Sequence, residues 1–107
     1  MPWEVEFIDD ALRDLRKLDA YNRKLVLKAV SKAAERPLPP PDGVGKPLGH
    51  RVTANLSGCY KIKLRDLGYR VVYTLVREQE LMRVIIISIR ADGEVYREAE
   101  RRLRSLN

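Results

Sequence analysis

Chemistry concentrates in the run Cys59-Tyr60-Lys61-Ile62-Lys63-Leu64-Arg65. In an extended chain its side chains alternate between two faces, so Tyr60, Ile62 and Leu64 point one way and Lys61, Lys63 and Arg65 the other. Three cations on one face make either an anion site or a solvated strand face, and the run by itself leaves both open. Its neighbours favour the anion site. Arg70 falls early in the next strand-like run, and Arg90 ends a later one. Four or five cations can therefore converge on one open face of a sheet. Tyr96 follows soon after, where it either anchors a terminal helix by packing or, beside a cationic patch, stacks on a base or handles a proton. His50 is the only histidine and Cys59 the only cysteine, too few for a histidine pair or a zinc site. The carboxylates are scattered without metal-ligand clustering. No phosphate loop or dinucleotide fingerprint is present. Any cutting of nucleic acid would fall to Lys, Arg and Tyr, with no metal and no cofactor.

The elements that must position these groups follow from periodicity. Trp3, Val5 and Phe7 alternate with Glu4 and Glu6, which predicts a short strand. Asp9 and Asp10 offer an N-cap and favourable charge for a helix carrying Ala11, Leu12, Leu15 and Leu18 on one face. A longer helix is expected over roughly Ala20 to Arg36, with Leu25, Ala29, Val30 and Ala33 as its apolar face, stopped by Pro37. The segment Pro37-Leu38-Pro39-Pro40-Pro41-Asp42-Gly43 reads as a connector. Strands follow over Cys59–Leu64, Tyr69–Val76 and Leu81–Ile89. The loop Arg65-Asp66-Leu67-Gly68 joins the first two and the polar turn Arg77-Glu78-Gln79-Glu80 the last two. Val84-Ile85-Ile86-Ile87 is apolar on both faces, which predicts an interior strand. Glu94 to Leu106 reads as a basic terminal helix. The expected order is β-α-α-β-β-β-α, an α+β fold with a helical hairpin on one face of the sheet.

The 107 residues make one domain, 1–107, with no repeat. Net charge is +6. Residues 59–107 hold eleven basic and seven acidic side chains, against ten and eight in residues 1–58. The excess therefore sits with the candidate site and points to a polyanionic partner. A lone cysteine, no apolar stretch of membrane-spanning length and no secretory signal pattern place the protein in the cytoplasm, with no membrane association.

These residues resemble the RelE toxins of type II toxin–antitoxin systems. The likeness runs through Cys59 to Arg65, Gly68-Tyr69-Arg70-Val71-Val72-Tyr73, Ile87-Ser88-Ile89-Arg90 and Glu94-Val95-Tyr96-Arg97-Glu98-Ala99. Lys46-Pro47-Leu48-Gly49 to Leu56-Ser57-Gly58 also fits the wider RelE/ParE superfamily. The resemblance implies a mostly antiparallel four-stranded sheet of order 1-4-3-2, with an N-terminal helical hairpin and a C-terminal helix. It implies an endoribonuclease that sits in the ribosomal A site, touching 16S rRNA, and cuts mRNA by attack of a 2′-hydroxyl on the adjacent phosphate. Lys61, Lys63, Arg70, Arg90 and Tyr96 would be the catalytic set. Arg70 would clamp phosphate oxygens through its planar fork, and crowding among the cations would let Lys61 or Lys63 serve as a base. Arg90 would be the candidate acid for the leaving 5′-oxygen, and Tyr96 would stack on or orient a base. Arg51, Arg65 and Arg83 would add RNA and ribosome contacts. A cognate antitoxin would wrap the toxin in a hetero-oligomer and cover or displace the terminal helix, whose narrow stripe of Val95, Ala99, Leu103 and Leu106 suggests weak docking.

Three departures bear on ribosome affinity and codon preference rather than on the chemistry. Asp92-Gly93 occupies a stretch that is more basic in the best-known member, Ile89 stands where a lysine is found there, and a longer loop carrying His50 and Arg51 precedes Cys59. Two other readings share the pattern: a ParE-like toxin that inhibits DNA gyrase without a nuclease site, and a non-catalytic basic RNA-binding module.

Overall fold

The computed structural model describes residues 2–51 and 54–106, the side chains of His50, Arg51 and Ala54 excepted. The elements are β1 (Glu4–Phe7), α1 (Asp9–Arg16), α2 (Ala20–Glu35), β2 (Lys46–Arg51), β3 (Ala54–Leu64), β4 (Tyr69–Val76), β5 (Leu81–Ser88) and α3 (Asp92–Ser105). One sheet holds the strands in the order β1-β5-β4-β3-β2, antiparallel except for the β1–β5 pair.

The sheet thus has five strands, not four. β2 and the first part of β3 form a hairpin from the stretch expected to be a loop. Pro47 and Gly49 hide this strand, because the register shifts between them and breaks the alternation. Proline is tolerated there because β2 is an edge strand. With β2 set aside, the remaining four strands stand in the expected order. β5 lies inside the sheet, and Val84 to Ile87 are all buried. A second bulge lies between Val72 and Tyr73 of β4, which pair with Ile86 and Val84.

Helix starts and faces differ in detail. The N-cap of α1 is Ile8, which makes no side-chain cap bond, and Asp9 and Asp10 lie in the first turn. There they act through the helix dipole rather than as caps. α2 is capped by Asp19, whose carboxylate accepts from the Asn22 N–H at 2.7 Å. Its buried residues are Val26, Val30, Ala33 and Ala34, while Leu25 and Ala29 are only half-buried. Arg23 of α2 closes the end of α1 by donating to the carbonyls of Leu15 (3.2 Å), Arg16 (3.2 Å) and Leu18 (2.8 Å).

Cross-strand pairing defines two faces. Tyr60–Tyr73 and Ile62–Val71 share one. The two tyrosine rings stack there at 5.5 Å. The Tyr73 hydroxyl donates to the Pro37 carbonyl at 2.9 Å and so ties the proline connector to the sheet. Gly45 is required at this point: a Cβ on it would lie 2.8 Å from the Tyr73 oxygen and 2.4 Å from the Pro37 carbonyl oxygen. Lys61–Val72 and Lys63–Arg70 share the opposite face.

α3 packs on β3, β4 and β5, burying Val95, Tyr96 and Ala99. Leu103 is half-buried and Leu106 exposed, so the apolar stripe is shorter than expected and shifted to include Tyr96. A polar clasp supplements it. Arg102, 10% exposed, donates to Asp14 at 2.6 and 3.2 Å, to the Ile85 carbonyl at 3.0 Å and to Glu98 at 2.9 Å. Asp14 also accepts the Ile87 N–H at 3.0 Å. The helix expected to dock weakly is fastened at once to α1 and β5. No helix among the described residues is long and apolar enough to cross a membrane.

Candidate active site

The β3–β4 hairpin supplies the centre of the site. The loop between its strands closes with Gly68 at φ +76°, a left-handed conformation that glycine adopts without cost. Closure there puts Lys63 directly opposite Arg70, and Arg70 in turn faces Ser88 at the end of β5. Lys61 sits two residues back on the same face of β3, paired with Val72 and with Lys46 of the edge strand.

Arg70 is the hub. Its Nη1 donates to the Arg90 carbonyl at 2.9 Å and to the Gly68 carbonyl at 3.3 Å, while its Nε meets the Asp92 carboxylate. The other oxygen of Asp92 lies 4.0 Å from the Lys63 ammonium. The Arg90 N–H donates to the Ser88 hydroxyl at 3.1 Å, so the short segment from Ser88 to Asp92 is held at both ends. Arg70 is 21% exposed and Asp92 43%. Two hollows flank this cluster. One, of about 210 Å³, is lined by Lys63, Leu64, Arg65, Gly68 and Arg70. The other, of about 540 Å³, opens between α1, the end of β5 and α3, with Lys17, Tyr69, Ser88, Arg90 and Glu94 on its walls.

The expected residues are therefore gathered unequally. Lys61, Lys63 and Arg70 share one face, Arg65 lines the adjoining hollow, and Arg90 joins through its backbone while its side chain is exposed. Tyr96 is 5% exposed and packed in the core beneath the first turn of α3. Its ring belongs to the core with Val95 and Ala99 of the same helix. Arg83 lies at the far end of the sheet, opposite Thr74, and donates to Glu6 at 2.6 Å. The Arg51 side chain, like that of His50, lies outside the described residues.

Sequence reading missed Asp92. Its neighbours Lys63 and Arg70 are more than twenty positions away in the chain, so no local pattern reveals the contact. The open face expected to gather the cations also holds a carboxylate, that of Asp92, between Lys63 and Arg70. Cys59 is buried, and burial pushes its thiol up to about 11, which leaves it no nucleophile. Among the described residues no group of three or more His, Cys, Asp or Glu is placed to hold a metal ion.

This arrangement suits a single anionic group held between a guanidinium and an ammonium. Residues 5–96 match the model of the ParE toxin of type II toxin–antitoxin systems. The Escherichia coli protein named mRNA interferase toxin RelE is 34% identical, over 96% of this chain and 99% of that protein. A solved structure of an arginine double mutant of E. coli RelE in the free state superimposes with a TM-score of 0.73 at 32% identity, over 96% of this chain and 99% of that one. The toxin–antitoxin complex RelBE from Mycobacterium tuberculosis matches with a TM-score of 0.67 at 29% identity, over 86% and 95%. The chain belongs to the RelE/ParE family, the toxins of type II toxin–antitoxin systems.

Proposed function

We propose that this toxin is a ribosome-dependent endoribonuclease that cuts mRNA in the A site without a metal cofactor. The observation that carries the reading is the Lys63–Arg70 pair beside Lys61 and Arg90 at one end of the sheet. In the reaction the mRNA 2′-oxygen bonds to the adjacent phosphorus, and the bond from phosphorus to the 5′-oxygen breaks. The products are a 2′,3′-cyclic phosphate and a 5′-hydroxyl. Arg70, with Lys63 or Lys61, stabilises the charge that builds on the phosphoryl oxygens, where fixed donors contribute most. Lys61 or Lys63 accepts the 2′ proton, and Arg90 is the acid that gives a proton to the leaving 5′-oxygen. Arg65 extends the contact along the RNA backbone. Tyr96 acts by holding the first turn of α3 in place. The relatives' names and the antitoxin-bound structure of the mycobacterial homologue support a cognate antitoxin as the resting partner, in a cytoplasmic hetero-oligomer.

The matching family model carries the ParE name, which favours a second reading, a gyrase inhibitor with no nuclease step. One experiment separates the two. The purified chain, stripped of metal with EDTA and exchanged into the magnesium buffer that ribosomes need, is added to ribosomes programmed with mRNA, and 5′ ends are mapped. Cleavage is expected. Arg70→Ala or Arg90→Ala should lower its rate by about a hundred- to a thousand-fold while the variant remains folded. Cleavage lost on stripping and restored only by an added transition metal would reject the metal-free step, and intact mRNA alongside inhibited gyrase would reject the nuclease reading.

A further inference from the structure

Asp92 is the one acidic side chain within ion-pair distance of Lys63 or Arg70 among the described residues. Its two oxygens are divided between them, one on the guanidinium and one toward the ammonium, as two non-bridging oxygens of a phosphodiester would be. The carboxylate makes no cap for its own helix: the N-cap is Ala91, and no side chain caps the first turn. We propose that Asp92 is a built-in counter-anion that occupies the place of the scissile phosphate, so that substrate binds by displacing this carboxylate from Arg70 and Lys63. The proposal rests on the reading of Lys63 and Arg70 as the phosphate site.

Three features make the exchange feasible. Asp92 is 43% exposed, so its side chain can swing toward solvent without moving the sheet. The backbone around it is pinned independently, by Arg90 N–H to Ser88 and by Arg70 to the Arg90 carbonyl, so Arg70 stays aimed after Asp92 leaves. A phosphate seated there also lies beside the N-terminal end of a 14-residue helix, where the helix dipole favours negative charge. The consequence is specificity through competition. A lone anion gains little over Asp92, whereas RNA that also reaches Arg65 in the neighbouring hollow gains contacts Asp92 does not have.

The test measures the affinity of the full chain for a single-stranded RNA whose 2′-positions are methylated, which binds but cannot be cut. Asp92→Asn should bind about two- to fivefold tighter, the range expected for release of a half-exposed ion pair. Glu78→Gln removes the same charge from the turn between β4 and β5, away from both hollows, and should leave affinity unchanged. In an Arg70→Ala background, which should itself bind more weakly, Asp92→Asn should give no comparable gain. Equal tightening by Asp92→Asn and Glu78→Gln would reduce the effect to net charge and overturn the proposal. So would unchanged or weaker binding by Asp92→Asn while Arg70→Ala is impaired. If Arg70→Ala binds as tightly as the parent, the phosphate site itself is wrong, whatever Asp92→Asn does.

Discussion

Single side chains divide here into those whose role is visible from their neighbours in sequence and those whose role depends on distant contacts. Lys61 and Lys63 belong to the first kind. Strand alternation alone puts them on one face, and the register with β4 adds Arg70 opposite Lys63. Tyr73 belongs to the second. Nothing in Tyr69–Val76 announces that its hydroxyl crosses to the carbonyl of Pro37, 36 positions away. Burial, with Tyr60 beside it, raises the Tyr73 phenol well above its ordinary value, so it stays neutral and acts as a donor throughout the physiological range. Tyr73→Phe should keep the ring stacked on Tyr60 but leave a buried carbonyl unpaired. The expected cost is about 1–3 kcal/mol, read from the midpoint of urea unfolding at an unchanged slope. A loss below a few tenths of a kcal/mol would mean that the connector is held by its prolines alone. Asp92 is the extreme case of the same rule. The sequence shows it only as an acidic residue ahead of the terminal helix, and only the folded chain places it on Arg70.

Among the elements, α3 departs furthest from its reading in the sequence. Its charge-rich pattern suggested a lightly attached helix, because a hydrophobic stripe is legible locally and a clasp is not. Arg102 closes on Asp14 across 88 positions, and that contact changes the character of the helix. The fifth strand was hidden for a related reason, since the bulge at Pro47 and Gly49 spoils the period that marks a strand. Arg102→Met should leave Asp14 largely desolvated with only the Ile87 N–H. Breaking a pair in that setting commonly costs about 3–5 kcal/mol. Hydrogen exchange should show protection lost first in α3 and then along the outer half of β5. The same helix should loosen in acid. Glu98 is held at about 2, below its ordinary 4.5, chiefly by its hydrogen bond from Arg101 and, against the opposing effect of burial, by that from Arg102. A depressed carboxylate stabilises the fold above its unfolded value, and that contribution drains away as pH falls from about 4.5 toward 2. Protection of α3 that ignores both Arg102→Met and this pH window would show that Val95, Tyr96 and Ala99 hold the helix unaided.

Across the whole molecule, the +6 charge says that a polyanion is favoured but not which surface meets it. The fold supplies the direction. Arg65 lies beside the Lys63–Arg70 cluster at the hairpin tip. Arg83, which the sequence offers as an equal candidate, lies at the opposite end of the sheet, neutralised by Glu6. The two arginines thus make a matched pair for testing orientation, because replacing either by alanine changes net charge by the same amount. Binding of single-stranded RNA should weaken with salt in proportion to the phosphates neutralised, and loss of one phosphate contact should lower the logarithmic salt slope by about one. Arg65→Ala is expected to weaken binding and flatten that slope. Arg83→Ala should leave both close to the parent, because its partner Glu6 already cancels the charge that RNA would meet there. Equal changes in the two variants would mean that RNA responds to the overall field of the chain, and the assignment of one end of the sheet as the RNA face would fall. Loss confined to Arg83→Ala would turn the molecule around and place the substrate beside the β1–β5 end.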